Sequence, residues 1–235
     1  YLEFYKEFAN NIKVAIYESF GAKKDDLEDL LMFYSKNEDK LISLKTYKDN
    51  MKSTDENILY ATGDSIEKIK NSPALAMVEE NRDILLLDQP IDEFLIKMLD
   101  EYKELKFKSI SEEDEKAEDN SDDKDLIEKL LKALPDDVVD IKFTDKLEDV
   151  PAMIKQRGDI EMEKALKNQP NAPELRAEKV LEIGKNTKAY ELIEKAEDDK
   201  KKEEIVSLLL DQAKLIEGLE IDDPVNFTKN IWKLI

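Results

Sequence analysis

The pattern of apolar positions at the end of the chain predicts a pair of helices over residues 205–235. Leu209, Ala213 and Ile216 recur at helical spacing and place one apolar stripe on the first helix. Gly218 follows that stripe, and glycine is the residue that most often ends a helix because it accepts a left-handed backbone. The pattern therefore predicts a helix that ends near residue 217 and a turn behind it.

The second helix of this hairpin begins at Asp223-Pro224, a capping residue followed by a proline in the first helical position. Its apolar residues lie on two sides: Val225 and Trp232 on one, Phe227, Ile231 and Leu234 on the other. A helix that is apolar on two sides needs two partners. We expect the hairpin to pair with a second copy of itself in a homodimer; the alternative is a hairpin that packs only on its own domain.

Upstream of the hairpin, residues 126–235 mix strand and helix patterns without regular alternation. Residues 138–143 alternate as a strand does, and 152–154 and 180–183 are two further strand candidates. A helical segment around residues 159–166 lies between the last two. This half of the chain is predicted to be an α+β domain.

Residues 1–110 show a different order of elements. The first 52 residues are predicted to be helical, including an amphipathic helix over 27–34. The apolar runs 58–62 and 84–87 are each followed by a helix, which indicates strands of a short parallel sheet joined by right-handed crossovers. The predicted fold class is therefore α/β plus α+β, with a small αβα domain first.

A polar, acidic run at 111–125 separates these two patterns, and we expect it to be a linker between domains 1–110 and 126–235. The whole chain carries a net charge of −20, which argues against nucleic acid or an anionic membrane as a partner. It has no Cys and no His, so thiol and histidine catalysis are excluded and a metal site would need oxygen ligands.

Two aspartates offer the most enzyme-like chemistry. Asp64 and Asp88 follow the two predicted parallel strands, and ligands bind at the carboxyl edge of such sheets. They could hold Mg²⁺ for phosphoryl chemistry, or they could simply cap helices and loops. Gly63 stands alone, without a glycine-rich phosphate loop, which disfavours nucleotide binding.

The segment 159–166 offers a different kind of site. Met162 and Leu166 stand beside charged residues, a combination that suits a surface for varied apolar segments. The plainer interpretation is an amphipathic helix that covers its own sheet.

Several stretches in collinear order resemble the HtpG family, the bacterial ninety-kilodalton heat-shock chaperones. They are residues 58–63, 72–75, 83–87 and 91–94, together with 208–213 and 223–224 near the end. The resemblance implies that the chain, which opens at Tyr1 inside a helical pattern, is a fragment: the distal part of the middle domain and the C-terminal dimerisation domain. The ATP-binding domain would be absent, so the fragment would not be an enzyme and would bind no cofactor, ATP and Mg²⁺ belonging to the missing part.

The resemblance also implies a cytoplasmic chaperone that binds unfolded or partly folded client proteins. The residues that match the family's client-binding groove are Phe94, Ile160, Met162, Ala165 and Leu166. The hairpin 205–235 would be the dimer contact. Two other interpretations stay open: a Mg²⁺-dependent α/β enzyme that uses Asp64 and Asp88, and a dimerisation module without a client surface.

Overall fold

The computed structural model describes residues 1–113, 123–147, 150–157, 160, 163 and 175–234. The chain divides into two compact units, Tyr1–Ile110 and Ser111–Ile235. The division falls at the end of the predicted first domain, but residues 111–113 already belong to the second unit. No helix in the described part of the chain is both long and apolar enough to cross a membrane.

The first unit is built from six helices and six strands. Its helices are α1 (Leu2–Glu18), α2 (Lys24–Leu27), α3 (Leu44–Asn50), α4 (Ile66–Lys70), α5 (Pro73–Ala76) and α6 (Pro90–Leu99). Its strands are β1 (Met32–Ser35), β2 (Lys40–Ser43), β3 (Asn57–Thr62), β4 (Leu85–Leu87), β5 (Glu101–Tyr102) and β6 (Leu105–Ser109).

These strands form one mixed sheet in the order β2-β1-β4-β3-β6-β5. The two predicted strands are present as β3 and β4, and they pair in parallel with Tyr60 opposite Leu85. β3 also pairs in parallel with β6, whereas the other pairs are antiparallel. The expectation of a short parallel sheet is therefore corrected to a larger, mixed one.

The predicted amphipathic helix over 27–34 is wrong. The helical part ends in a 3-10 turn at Glu28–Leu30, and β1 begins at Met32. Leu31, Phe33 and Ser35 are all buried, so the inward positions recur every two residues instead of every 3.6. The leucines before residue 31 suggested a helix because their spacing fits both periods over so short a stretch.

In its described residues, the second unit holds a three-stranded sheet covered by helices. The strands there are β7 (Val138–Thr144), β8 (Ala152–Gln156) and β9 (Lys179–Gly184), and the helices with described bounds are α7 (Lys124–Leu131), α8 (Lys188–Lys195), α9 (Asp199–Ile216) and α10 (Pro224–Leu234). β9 lies in the middle, parallel to β7 and antiparallel to β8. All three predicted strands are thus present, as is the hairpin formed by α9 and α10.

One apolar core holds the second unit together. Ile141, Leu181 and Ile183 from the sheet lie in it together with Val206 and Leu209 of α9. Because α9 supplies a full apolar side to this core, its orientation on the sheet is fixed. The helix α9 therefore positions the turn and α10 that follow it.

Candidate functional site

The two aspartates considered for magnesium follow β3 and β4, which are neighbouring parallel strands, as the sequence predicted. Both are exposed, and Asp64 forms an ion pair with Lys68 at 2.5 Å. Ser65, not Asp64, caps α4 by accepting a hydrogen bond from the Lys68 N–H. In the described ranges, no group of three or more His, Cys, Asp or Glu side chains could hold a metal ion. The described surroundings of Asp64 and Asp88 therefore do not support the magnesium site that these two aspartates suggested.

A buried ion pair links two helices of the first unit. Lys13 of α1 lies 2.6 Å from Asp92 of α6, and the two side chains are 5% and 4% exposed. The same ammonium donates to the Gln89 side chain at 3.0 Å and lies 5.6 Å from the centre of the Phe33 ring. Burial raises the pKa of Asp92, and the positive charge of Lys13 opposes that rise. The pair fixes α1 against α6.

Phe94, the candidate client-binding residue of the first unit, is partly exposed on α6. Its ring meets the ring of Tyr17 edge-on, with centroids 6.1 Å apart. Tyr17 stands four residues after Lys13 on α1 and is also partly exposed. Sequence reasoning missed Tyr17, although its i+4 spacing from a buried residue places it on the same side of the helix. The two rings form a partly exposed aromatic pair at the surface.

The candidate residues of the second unit fare differently. Ile160 is 1% exposed and lies in the apolar core of its unit, so its assignment to a client-binding surface is wrong. Met162, Ala165 and Leu166 lie outside the described residues. Their part in client binding stays a prediction.

Glu163 belongs to a buried ionic cluster that the sequence did not reveal. Its carboxylate accepts hydrogen bonds from the Ala177 N–H at 2.9 Å and from Lys179 at 2.7 Å. The ammonium of Lys179 also donates to Asp137 at 2.8 Å, and the lysine is almost completely buried. Lysine side chains are usually exposed, so Lys179 is expected at the surface from its sequence. Its carboxylate partners are distant along the chain, and the sequence pattern does not reveal them. The cluster anchors Glu163 to the first residue of β9.

The hairpin of α9 and α10 divides the predicted dimer residues into two groups. Leu209 and Ala213 are buried in the core of their own unit, so their assignment to an exposed contact is corrected. Phe227 and Ile231 are partly buried. Among the described side chains of the hairpin, the large apolar ones that remain exposed are Leu215, Ile216, Val225 and Trp232, and Trp232 is 72% exposed. We call these four residues the hairpin patch.

The turn between α9 and α10 is held in place by an ion pair. The ammonium of Lys214 lies 2.6 Å from Asp222, and the Leu219 N–H donates to the Lys214 carbonyl at 2.8 Å. The side chain of Asp223 then accepts a hydrogen bond from the Asn226 N–H, as predicted for the cap of the last helix. The turn therefore has a defined geometry, and it fixes where α10 starts.

Comparison with known proteins gives a consistent result over the whole chain. The family model described as Hsp90 protein matches residues 1–235. Among curated relatives, Chaperone protein HtpG of Bacillus subtilis (strain 168) is 42% identical over 250 residues, which takes in 100% of this chain and 40% of that protein. Chaperone protein HtpG of Shouchella clausii (strain KSM-K16) is 41% identical over 249 residues, again with 100% and 40% covered. The chain thus spans about two fifths of the length of these relatives.

These matches correct the position that the sequence interpretation gave the chain within its family. That interpretation divided it into a distal middle domain and a C-terminal dimerisation domain and left the ATPase part outside. The family model instead takes in residues 1–235 as a whole, and the relatives match the chain over its full length. The matched portions of this chain and of its relatives give no ground for placing the ATP-binding part outside the chain. The predictions of an ATPase-free fragment, of no enzymatic activity and of no cofactor are therefore withdrawn.

ATP and Mg²⁺ consequently have to be tested against the residues present. Among the described residues, the carboxylates of Asp64 and Asp88 do not form part of a metal-binding group. A Cβ atom at Gly63 would lie 2.8 Å from Ile69, so the glycine makes room for a helix side chain and not for a phosphate. The residues around Gly63, Asp64 and Asp88 therefore do not fit a magnesium–nucleotide complex.

Proposed function

Because the chain belongs to the Hsp90 protein family, we propose that it is part of a cytoplasmic chaperone that holds unfolded or partly folded proteins. The observation that supports this function most directly is the 42% identity, over the whole chain, to a relative named as a chaperone. Stress response and assistance in protein folding go with that function.

The aromatic pair of Tyr17 and Phe94 supports a role in client binding. Partly exposed aromatic rings offer a large apolar area at a low cost in conformational entropy, and they are enriched where proteins bind one another. The surrounding acidic charge of the chain favours basic segments of a client, because opposite charges attract at the rim of a contact. We place the client site of the first unit at these two rings.

Binding of a fluorescent, permanently unfolded model protein tests this site. We expect Phe94→Ala to weaken binding by at least about fivefold, since an aromatic anchor at a contact is worth 1 kcal/mol or more. Phe8→Ala is the matched control, because Phe8 is a partly exposed aromatic residue nine positions before Tyr17 on α1. Equal affinities for the wild type and Phe94→Ala would remove Phe94 from the site.

We further propose that the chain forms a homodimer through the hairpin patch. Val225 is 63% exposed and Trp232 72%, an unusual exposure for large apolar side chains on a well-packed hairpin. A second copy that brings the same patch would cover both by two-fold symmetry, and each α10 would then gain the second partner that its two apolar sides require.

Sedimentation equilibrium tests the dimer. We expect residues 1–235 to dimerise and Trp232→Ala to raise the dissociation constant by about thirtyfold, the effect of losing about 2 kcal/mol at a tryptophan hot spot. Phe20→Ala is the control, because Phe20 is 87% exposed and lies in the first unit. A wild-type chain that stays monomeric at tens of micromolar would contradict the proposed contact and leave the client-binding test unaffected.

A further inference from the structure

A phenylalanine in the turn after the first helix is held out in solvent. Phe20 is 87% exposed, more than any other large apolar side chain that the structure describes. Its backbone φ is +51°, in the left-handed region. That region is unusual for a bulky residue and costs free energy, because the Cβ atom crowds the following carbonyl oxygen. Packing within the fold therefore does not account for a phenylalanine at this position.

Hydrogen bonds at the end of α1 fix this conformation. The Gly21 N–H donates to the Ile16 carbonyl at 3.0 Å. The Phe20 N–H donates to the Tyr17 carbonyl, also at 3.0 Å. The Ser19 hydroxyl donates to the Ile16 carbonyl at 2.9 Å. Left-handed residues persist when the surrounding structure determines them in this way, and they concentrate at functional sites.

The same turn lies against the helix that carries Phe94. A Cβ atom on Gly21 would lie 3.0 Å from the Met98 carbonyl oxygen, so glycine allows the turn to approach α6 closely. Met98 stands four residues after Phe94 and therefore lies on the same side of α6. Tyr17, one helical turn before Gly21, meets Phe94. Phe20 thus stands beside the contact between α1 and α6, next to the aromatic pair.

The residues around Phe20 are mainly acidic. Glu18 precedes it, and Asp25 and Asp26 lie in the first turn of α2; all three are exposed. An exposed cation, Lys23, stands among them, and negative charge still predominates. An acidic rim around an apolar anchor favours a partner that brings positive charge.

We propose that Phe20 is a third aromatic anchor of the client site, and that it binds an apolar side chain flanked by Lys or Arg in an unfolded segment. This rests on the proposed function, which places client binding at Tyr17 and Phe94. The ring offers contact area at a low cost in conformational entropy, because the turn already fixes its backbone. The acidic residues beside it select the flanks of the bound segment.

Fluorescence anisotropy with two labelled peptides tests the preferred partner. One peptide has an apolar centre with lysine flanks, and the other has the same centre with glutamate flanks. We expect the lysine-flanked peptide to bind residues 1–235 at least about tenfold more tightly, with a difference that narrows in high salt. Equal binding of the two peptides would overturn the preference for basic flanks.

Charge neutralisation locates the source of that preference. Asp25→Asn combined with Asp26→Asn should reduce it at least about threefold, since each surface charge contributes a fraction of the binding free energy. Asp49→Asn combined with Glu56→Gln is the control, because it removes two exposed carboxylates elsewhere in the first unit. An equal loss of preference in both double variants would show that the acidic rim does not select the partner.

Replacing the ring tests the anchor itself. We expect Phe20→Ala to weaken binding of the lysine-flanked peptide at least about fivefold. Phe4→Ala, which removes an exposed ring near the start of α1, should leave binding unchanged. Phe20→Asn separates binding from folding, because Asn accepts a left-handed backbone and has no ring. It should raise the melting temperature by about 2–4 °C and weaken binding as Phe20→Ala does.

Phe94→Ala distinguishes a failure at Phe20 from a failure of the client site. Weaker binding in Phe94→Ala and in Phe20→Ala is the expected result. If Phe94→Ala binds more weakly and Phe20→Ala binds as the wild type does, the client site stands and Phe20 is no part of it. If neither variant weakens binding, the proposed client site itself is wrong.

Discussion

Lys13 and Asp92 face each other at 2.6 Å across the contact between α1 and α6, with almost no solvent access to either side chain. Two charges in such a place stabilise the fold only as a pair, because each would be costly to bury alone. Gln89 accepts a hydrogen bond from the same ammonium and so helps to satisfy it. The contact between these helices, which also carries Tyr17 and Phe94, depends on this pair.

Removing one member of this pair should destabilise the first unit strongly. We expect Lys13→Met to lower the free energy of unfolding by about 3–5 kcal/mol, because Asp92 is left as an unpaired buried charge. Urea titration followed by circular dichroism measures the effect. Lys6→Met, at an exposed position of α1, should change it by less than about 0.5 kcal/mol.

The double variant Lys13→Met with Asp92→Leu should regain most of that loss, because no charge remains buried. A double variant as unstable as Lys13→Met alone would show that the lost stability comes from packing and not from the uncompensated carboxylate.

The stability of the second unit should fall between about pH 4.5 and pH 2 through Glu113. Its pKa is lowered from 4.5 to about 2 in the folded state, chiefly by Arg157 and also by Lys142. The ionised form therefore stabilises the fold above the unfolded pKa, and this contribution is lost as pH falls through the folded value. Unfolding curves of the wild type and Glu113→Gln should differ most near pH 6 and converge near pH 2. A constant difference across that range would contradict the assignment.

Gly184 should tolerate no side chain. A Cβ atom there would lie 2.6 Å from the Leu147 carbonyl oxygen and 2.8 Å from Thr187. We expect Gly184→Ala to cost about 1–3 kcal/mol, the range typical of overpacking. Gly218→Ala is an instructive comparison, because nothing lies within 4 Å of its Cβ position and its φ of +71° alone opposes alanine. Thermal unfolding should show a lower melting temperature for Gly184→Ala than for the wild type. An unchanged melting temperature would refute the clash.

Ser65 and Asp64, next to each other before α4, should differ in their contribution to stability. Ser65 accepts a hydrogen bond from the Lys68 N–H, and Ser65→Ala should cost about 1 kcal/mol as the loss of a helix cap does. Asp64 is exposed and pairs with Lys68 at the surface, so Asp64→Ala should change the free energy of unfolding by less than about 0.5 kcal/mol. A larger effect at Asp64 would assign it a role that its surroundings do not indicate.

The apolar runs around Tyr60 and Leu85 predicted β3 and β4 because strands covered on both faces need unbroken apolar sequence. The short strand β1 was missed because four residues, Met32–Ser35, carry too little pattern to decide between two periods. The burial and orientation of other residues depend on partners that are distant in sequence. Lys179 is buried only because Asp137 and Glu163 come to it, and Leu209 faces its own core only because the sheet lies beneath α9. Single-sequence patterns do not encode either neighbour.

The place of β3 in the sheet has a consequence during synthesis. Residues 57–60 pair with residues 106–109, almost fifty positions later. At about 5–20 residues per second, one edge of β3 would wait roughly 2–10 s for its partner on the ribosome. Through that interval the apolar run Ile58–Ala61 presents an open strand edge, a recognised aggregation hazard. During its own synthesis, this member of a chaperone family therefore exposes apolar surface of the kind that chaperones bind on other proteins.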